Sequence, residues 1–193
     1  MNKKQGLVLY QQSINDGRRK MILRLINLFS REYLDINTKN SRLNRMIRRI
    51  VAWAKLTKDI YDPETMRLVM VTLTYSPEHT WEKNHIRDYL QALRRYIPKE
   101  DFYSYAWVAE MQKRGEVHYH IYLIVKKGTD IPKPDESGMW EWGASRIETG
   151  KSPYYLVKYL GKEYQKQGEY PKGIRIFAVW LTKDETIISR AAR

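Results

Sequence analysis

Two apolar runs that lie close together in the chain constrain the fold most: YSYAWVAEM at 103–111 and VHYHIYLIV at 117–125. Both runs are rich in aromatic and β-branched residues, which favours strands over helices. The few residues between them allow only a short turn, so we expect an antiparallel hairpin centred near Arg114. In that register the numbers of opposite residues add to 228, and Glu110 lies opposite His118.

The segments around this hairpin predict an α+β domain. A strand is expected at 67–75, and Ile86, Tyr89, Leu90, Leu93 and Ile97 recur at the spacing of a helix that Pro98 ends. MWEWGASRIE is a candidate strand, Ser152 and Pro153 begin a further helix, and GIRIFAVWL at 173–181 is a last strand. This order indicates a mainly antiparallel central sheet with helices packed on it.

The N-terminal third is more basic than the rest of the chain. Residues 1–67 contain 15 Lys/Arg and 6 Asp/Glu. We expect a pair of helices there, one over 18–31 and one marked by the apolar positions Leu43, Met46, Ile47, Ile50, Val51 and Ala54. We therefore divide the chain into a basic helical N-terminal segment, 1–62, and a main domain, 63–193.

Arginines of the second predicted helix fall largely off its apolar stripe: Arg42, Arg45, Arg48 and Arg49. They are candidate contacts to DNA phosphates, as is Arg114 in the hairpin turn. A solvated charged face is an equally good interpretation of the helix arginines.

Composition narrows the classes of function. The 193 residues carry a net charge of +13, which favours a polyanionic partner such as nucleic acid. The chain has no cysteine, which excludes disulfides and thiolate zinc sites, and no apolar run of membrane-spanning length. We therefore expect a cytoplasmic protein without a membrane partner. No P-loop motif is present.

Two histidines on one strand indicate a metal site. His118 and His120 are two residues apart, so their side chains share one face of the strand. The predicted register adds the Glu110 carboxylate to that face. Two imidazoles and one carboxylate suit a single catalytic divalent ion, Mn²⁺ or Mg²⁺. Hydrogen-bonded core histidines are the alternative interpretation.

The helix that follows Ser152 carries an unusual polar stripe. Tyr155, Lys158, Tyr159 and Lys162 are spaced i, i+3, i+4 and i+7, whereas Leu156, Val157 and Leu160 take the opposite side. A phenol can attack phosphorus and form a covalent intermediate, and adjacent lysines favour the phenolate and hold phosphate oxygens. Half-buried tyrosines of an aromatic-rich helix are the alternative.

Three motifs in this order resemble the HUH endonuclease superfamily, specifically the rolling-circle replication initiators called Rep proteins. VMVTLTYSPEH resembles the first motif of the family, HYH its His-hydrophobic-His motif, and YLVKYLGK its Y-x-x-K-Y-x-x-K motif; GEYPKGIRIFAVW resembles the stretch that follows. The resemblance covers roughly residues 68–180, within the segment 63–193. It implies an RRM/ferredoxin-like nuclease fold.

The resemblance also implies the roles of individual residues. His118, His120 and Glu110 would bind the divalent ion, Tyr159 would be the first nucleophile, and Tyr155 would perform the terminating transfer. The reaction would nick single-stranded DNA at an origin hairpin, leaving a 5′-phosphotyrosine and a free 3′-hydroxyl. A separate helicase and a polymerase are the implied partners.

Two alternatives remain open from the sequence. One is a single-tyrosine HUH transposase with the same chemistry. The other is a non-catalytic RRM-like module that stacks single-stranded nucleic acid on exposed aromatic residues such as Tyr103, Tyr105 and Trp107.

Overall fold

The structure is a computed structural model that describes residues 7–13, 21–27, 33–36, 41–112, 115–157, 159 and 170–182, the first three ranges and residues 41–42 by their backbone alone. The chain divides into two compact units, Met1–Arg48 and Arg49–Arg193. The division predicted after residue 62 stays a prediction.

The first part of the chain forms a three-stranded antiparallel sheet rather than the first of two predicted helices. Its strands are β1 (Leu7–Ser13), β2 (Met21–Asn27) and β3 (Tyr33–Ile36), in the spatial order β1-β2-β3. The helix predicted over 18–31 is therefore wrong where β2 lies. The apolar run MILRLIN is too short for its periodicity to distinguish a helix from a strand, and pairing with two neighbouring strands decides the matter.

The second predicted helix is present as α1 (Ser41–Ile60). Its apolar positions are buried, Met46, Ile50 and Ala54 completely so. Farther along the same helix, Trp53 Nε1 donates a hydrogen bond of 2.7 Å to Ser104 Oγ. This bond ties the C-terminal half of α1 to the main sheet.

The main sheet has five antiparallel strands in the order β7-β4-β6-β5-β8. The strands are β4 (Met66–Thr74), β5 (Phe102–Met111), β6 (Val117–Lys126), β7 (Ser145–Thr149) and β8 (Phe177–Leu181). β6 lies at the centre, where nine of its ten residues are buried or half-buried. The predicted α+β class with a mainly antiparallel sheet and helices packed on it is confirmed.

The two faces of this sheet carry different residues. We call the face with Thr72, Thr74, Glu110, His118 and His120 the site face, because register pairs these residues across β4, β5 and β6.

The opposite face is covered by α2 (His85–Tyr96), whose Tyr89 and Leu93 are fully buried. On this α2 face Trp107 is only 2% exposed and packs edge-on against Tyr119. Trp107 is therefore a core residue, and the stacking platform that the non-catalytic alternative requires is not open at this position.

Candidate active site

The hairpin of β5 and β6 has the register predicted from the sequence. Glu110 pairs with His118, and neighbouring pairs follow the same alignment. On its other side β6 pairs with β4, which places Thr72 opposite His120 and Thr74 opposite His118. Since directly paired residues share a face of the sheet, both histidines and the carboxylate project from the site face.

His120 and Glu110 are in direct contact. His120 Nε2 lies 2.7 Å from Glu110 Oε2, and the two side chains are 8% and 12% exposed. A carboxylate removed from water to this degree requires a hydrogen-bonding partner, and the imidazole provides one. The other ring nitrogen, His120 Nδ1, lies 3.3 Å from Thr72 Oγ1.

His118 is oriented by a different neighbour. Its Nδ1 lies 3.0 Å from Nε2 of Gln112, which directly follows β5. The ring centroids of His118 and His120 are 6.4 Å apart, and the rings are tilted relative to each other.

The chemistry of these side chains fits a divalent ion, although they do not yet surround one point. Two imidazoles and one carboxylate are the donor types that Mn²⁺ and related ions accept. Within the described part of the chain, no three His, Cys, Asp or Glu side chains are already gathered as a metal site. The reason is visible at His120, whose Nε2 is hydrogen-bonded to Glu110. Ion binding requires that this hydrogen bond give way.

The tyrosine segment begins as predicted, with a 3₁₀ turn over Pro153–Leu156. Ser152 caps it, accepting a hydrogen bond from Tyr154 N at 3.3 Å, and Pro153 occupies the first turn. Leu156 and Val157 are buried, as their side of the predicted stripe requires.

Tyr159 lies directly against the histidine pair. Its ring stacks on His120 with the centroids 3.7 Å apart and the planes 19° from parallel. Tyr155 is one step away: its ring lies 5.9 Å from that of Tyr159 and 6.3 Å from that of Tyr122. The structure therefore brings both tyrosines to the site face but places Tyr159 next to His120. Tyr159 is more buried than an exposed polar stripe implies, because its ring packs on the imidazole.

The surroundings of Tyr159 favour the neutral phenol. Burial raises the pKa of Tyr159 well above its ordinary value, and Tyr155 and the Glu110 carboxylate act in the same direction. A cation close to the hydroxyl is needed to oppose this. Lys158 and Lys162, the candidates from the sequence, lie outside the described residues.

The predicted DNA-contacting arginines are only partly described. Arg45, Arg48 and Arg49 are exposed on α1. The side chain of Arg42 and the whole of Arg114 lie outside the described residues.

Thr72 and Gln112 are contacts of the histidines that sequence reasoning did not single out. For Thr72 a signal was available, since Thr72 and Thr74 alternate with buried Leu73 and so share the site face. Gln112 gave no signal, because its position depends on how the chain leaves β5.

An aromatic cluster fixes the end of β4 next to this site. His85 stacks on Trp142 at 3.8 Å and is hydrogen-bonded through Nδ1 to the Tyr75 hydroxyl at 3.1 Å. Trp140 Nε1 donates to the Thr74 carbonyl at 3.1 Å. Thr74 pairs with His118, so the cluster positions the strand that flanks the histidines.

None of the helices in the described part of the chain is both long enough and apolar enough to cross a bilayer.

Comparison with known proteins gives one family. The model of the replication-associated protein ORF2/gene 2 protein family matches residues 68–166, from β4 to just beyond Tyr159, whereas no curated protein matches the chain. The matched segment contains Thr72, Glu110, His118, His120 and both candidate tyrosines. Because the match spans just over half of the 193 residues, the chain belongs to this family of replication-associated proteins.

Proposed function

We propose that this protein nicks and rejoins single-stranded DNA in a metal-dependent, HUH-type reaction that initiates and terminates rolling-circle replication. The observation that carries the proposal is the stacking of Tyr159 on His120, which is itself hydrogen-bonded to Glu110. A nucleophile therefore lies beside a metal-ligand set in a chain of a replication-associated family.

Tyr159 is the proposed first nucleophile. Its phenolic oxygen forms a bond to phosphorus while the bond from phosphorus to the 3′ oxygen breaks, so the number of phosphoester bonds is conserved. The phenolic proton leaves and the 3′ oxygen gains a proton, which yields a 5′-phosphotyrosine and a free 3′-hydroxyl. His118, His120 and Glu110 would hold a Mn²⁺ or Mg²⁺ ion, which polarises the scissile phosphate when bound.

Tyr155 is the proposed second nucleophile. Its ring lies against Tyr159 and beside Tyr122, one step away from the His120 ring on which Tyr159 stacks. This position suits a hydroxyl that acts after the first adduct has formed, in the transfer that closes the new strand. Family membership favours this initiator over a single-tyrosine transposase.

The proposed partners are single-stranded origin DNA, a separate helicase and a polymerase, in the cytoplasm of the host cell. The absence of a P-loop motif from the sequence supports a separate helicase. The net charge of +13 supports binding to DNA.

The decisive test is covalent attachment. The protein is incubated with Mn²⁺ or Mg²⁺ and a pool of single-stranded oligonucleotides that tile the DNA encoding it, and denaturing gels are used to detect a protein–DNA adduct. We expect an adduct that chelator abolishes and that peptide mapping locates on Tyr159. Tyr154→Phe is the matched control, because Tyr154 belongs to the same turn but not to the proposed nucleophile pair.

An adduct that persists when both Tyr155 and Tyr159 are phenylalanine would assign the nucleophile elsewhere. No adduct with any oligonucleotide and either ion would refute the nicking reaction.

A further inference from the structure

Each histidine of the site has a neutral polar side chain at Nδ1. His120 Nδ1 lies 3.3 Å from Thr72 Oγ1, and His118 Nδ1 lies 3.0 Å from Gln112 Nε2. The two partners come from opposite sides of β6, since Thr72 is on β4 and Gln112 follows β5. Both rings are therefore held through the same nitrogen by flanking strands.

We propose that Thr72 and Gln112 are positioning residues that hold both imidazoles through Nδ1 and so assign Nε2 of each ring to the metal ion. The inference rests on the metal site of the proposed function. Metal-bound histidines generally use their second ring nitrogen to hydrogen-bond a neighbour, which fixes the tautomer and the ring orientation. Thr72 and Gln112 already occupy that position.

The hydroxyl of Thr72 suits both arrangements that His120 must adopt. While Glu110 accepts a hydrogen bond from His120 Nε2, that nitrogen carries a hydrogen, and a neutral ring then accepts at Nδ1 from the threonine hydroxyl. When Nε2 binds an ion instead, the hydrogen is on Nδ1 and the same hydroxyl accepts it. A hydroxyl both donates and accepts, so Thr72 can keep its contact in either case.

The amide of Gln112 has the same capacity at His118. As placed, its NH₂ group faces Nδ1. Rotation of the amide by half a turn presents Oε1 at the same place with the same shape, and Oε1 accepts a hydrogen from Nδ1. His118 Nε2 is then the nitrogen with a lone pair to offer. Either neutral partner thus orients its ring without adding charge beside the Glu110 carboxylate.

The test measures metal affinity in the absence of DNA, by calorimetric titration of the full chain with Mn²⁺. Thr72→Val keeps the shape and removes the hydroxyl, Thr72→Ser keeps the hydroxyl, and Gln112→Met removes the amide. Thr74→Val is the matched control, because Thr74 is on the same strand and face but opposite His118. Thermal unfolding of every metal-free variant checks the fold.

We expect Thr72→Val and Gln112→Met to weaken Mn²⁺ binding by roughly 10- to 100-fold, the usual effect of losing a group that orients a metal ligand. Thr72→Ser and Thr74→Val should bind nearly as the wild type does, and melting temperatures should stay close together. A purely structural role would instead lower the melting temperature without this pattern of affinities.

The failure of this inference is distinguishable from that of the proposed function. If the wild type binds Mn²⁺ and His120→Ala does not, but Thr72→Val and Gln112→Met bind as tightly as the wild type, the positioning role is refuted and the metal site stands. If the wild type and His120→Ala bind Mn²⁺ equally poorly, the metal site of the proposed function is refuted as well.

Discussion

Replacing Gly143 with alanine should destabilise the protein at the strand end beside His118. Gly143 has φ +153°, and a Cβ atom there would meet the Thr74 carbonyl oxygen, lie 2.5 Å from the Ser76 nitrogen and lie 2.8 Å from the Tyr75 carbonyl carbon. All three atoms belong to the backbone, so no side chain can rotate away. The Ser76 nitrogen also donates to the Trp142 carbonyl at 2.9 Å, which holds the two segments together.

The expected loss has two contributions. A non-glycine residue in this backbone conformation costs roughly 1–3 kcal/mol. Forcing a methyl group into packed backbone costs roughly another 1–3 kcal/mol. A midpoint of about 4 kcal/mol lowers the melting temperature of a domain of this size by roughly 8–16 °C.

Circular dichroism during thermal unfolding measures this loss, and Gly138→Ala is the matched control. Gly138 is in the same β6–β7 connection and has φ +72°, but nothing lies within 4 Å of the position that its added methyl group would take. Its substitution should cost only the left-handed backbone penalty of roughly 1–2 kcal/mol. If the two variants melt within about 3 °C of each other, the close approach of Gly143 to β4 does not have the energetic weight assigned to it.

Three further predictions concern the proposed nucleophiles, a buried histidine and the basic helix. Tyr159→Phe should lose initial cleavage almost completely, whereas Tyr155→Phe should cleave but rejoin strands poorly; equal loss in gel assays of both steps would remove the assigned order. Burial lowers the pKa of His85, so the unfolded chain binds a proton more readily and stability falls as the pH drops below about 6.5. The decrease in melting temperature from about pH 7 to pH 5 should therefore be smaller in His85→Phe than in the wild type, and an unchanged decrease would contradict this. Replacing Arg48 and Arg49 with glutamine should reduce the log–log salt slope of DNA binding by roughly one unit per lost phosphate contact, and an unchanged slope would place them away from DNA.

Much of the main sheet follows from the sequence alone. The two runs that became β5 and β6 are separated by too few residues to do anything but pair, and the pleat then determines which residues share a face. This is why the Glu110–His118 register was predictable. The ends of α2 and of the tyrosine turn were predictable for a similar reason, since Pro98, Ser152 and Pro153 act on their own backbone.

Local pattern failed where the outcome depends on partners elsewhere in the chain. The run MILRLIN fits a helix or a strand, and it became β2 through pairing with β1 and β3. Tyr159 was predicted on a polar stripe, but its ring is buried against His120, because a flat aromatic surface was available on the strand below it.

The sequence by itself determined which chemical groups the site contains and which strand face carries the histidines, because residue type and a two-residue period are local properties. Only the tertiary structure decided that Thr72 lies at His120, 48 positions away, and that Tyr159 rather than Tyr155 lies next to the histidines. The order of the strands and the packing of the tyrosine turn bring these groups together. Both depend on contacts between distant segments, which no short stretch of sequence encodes.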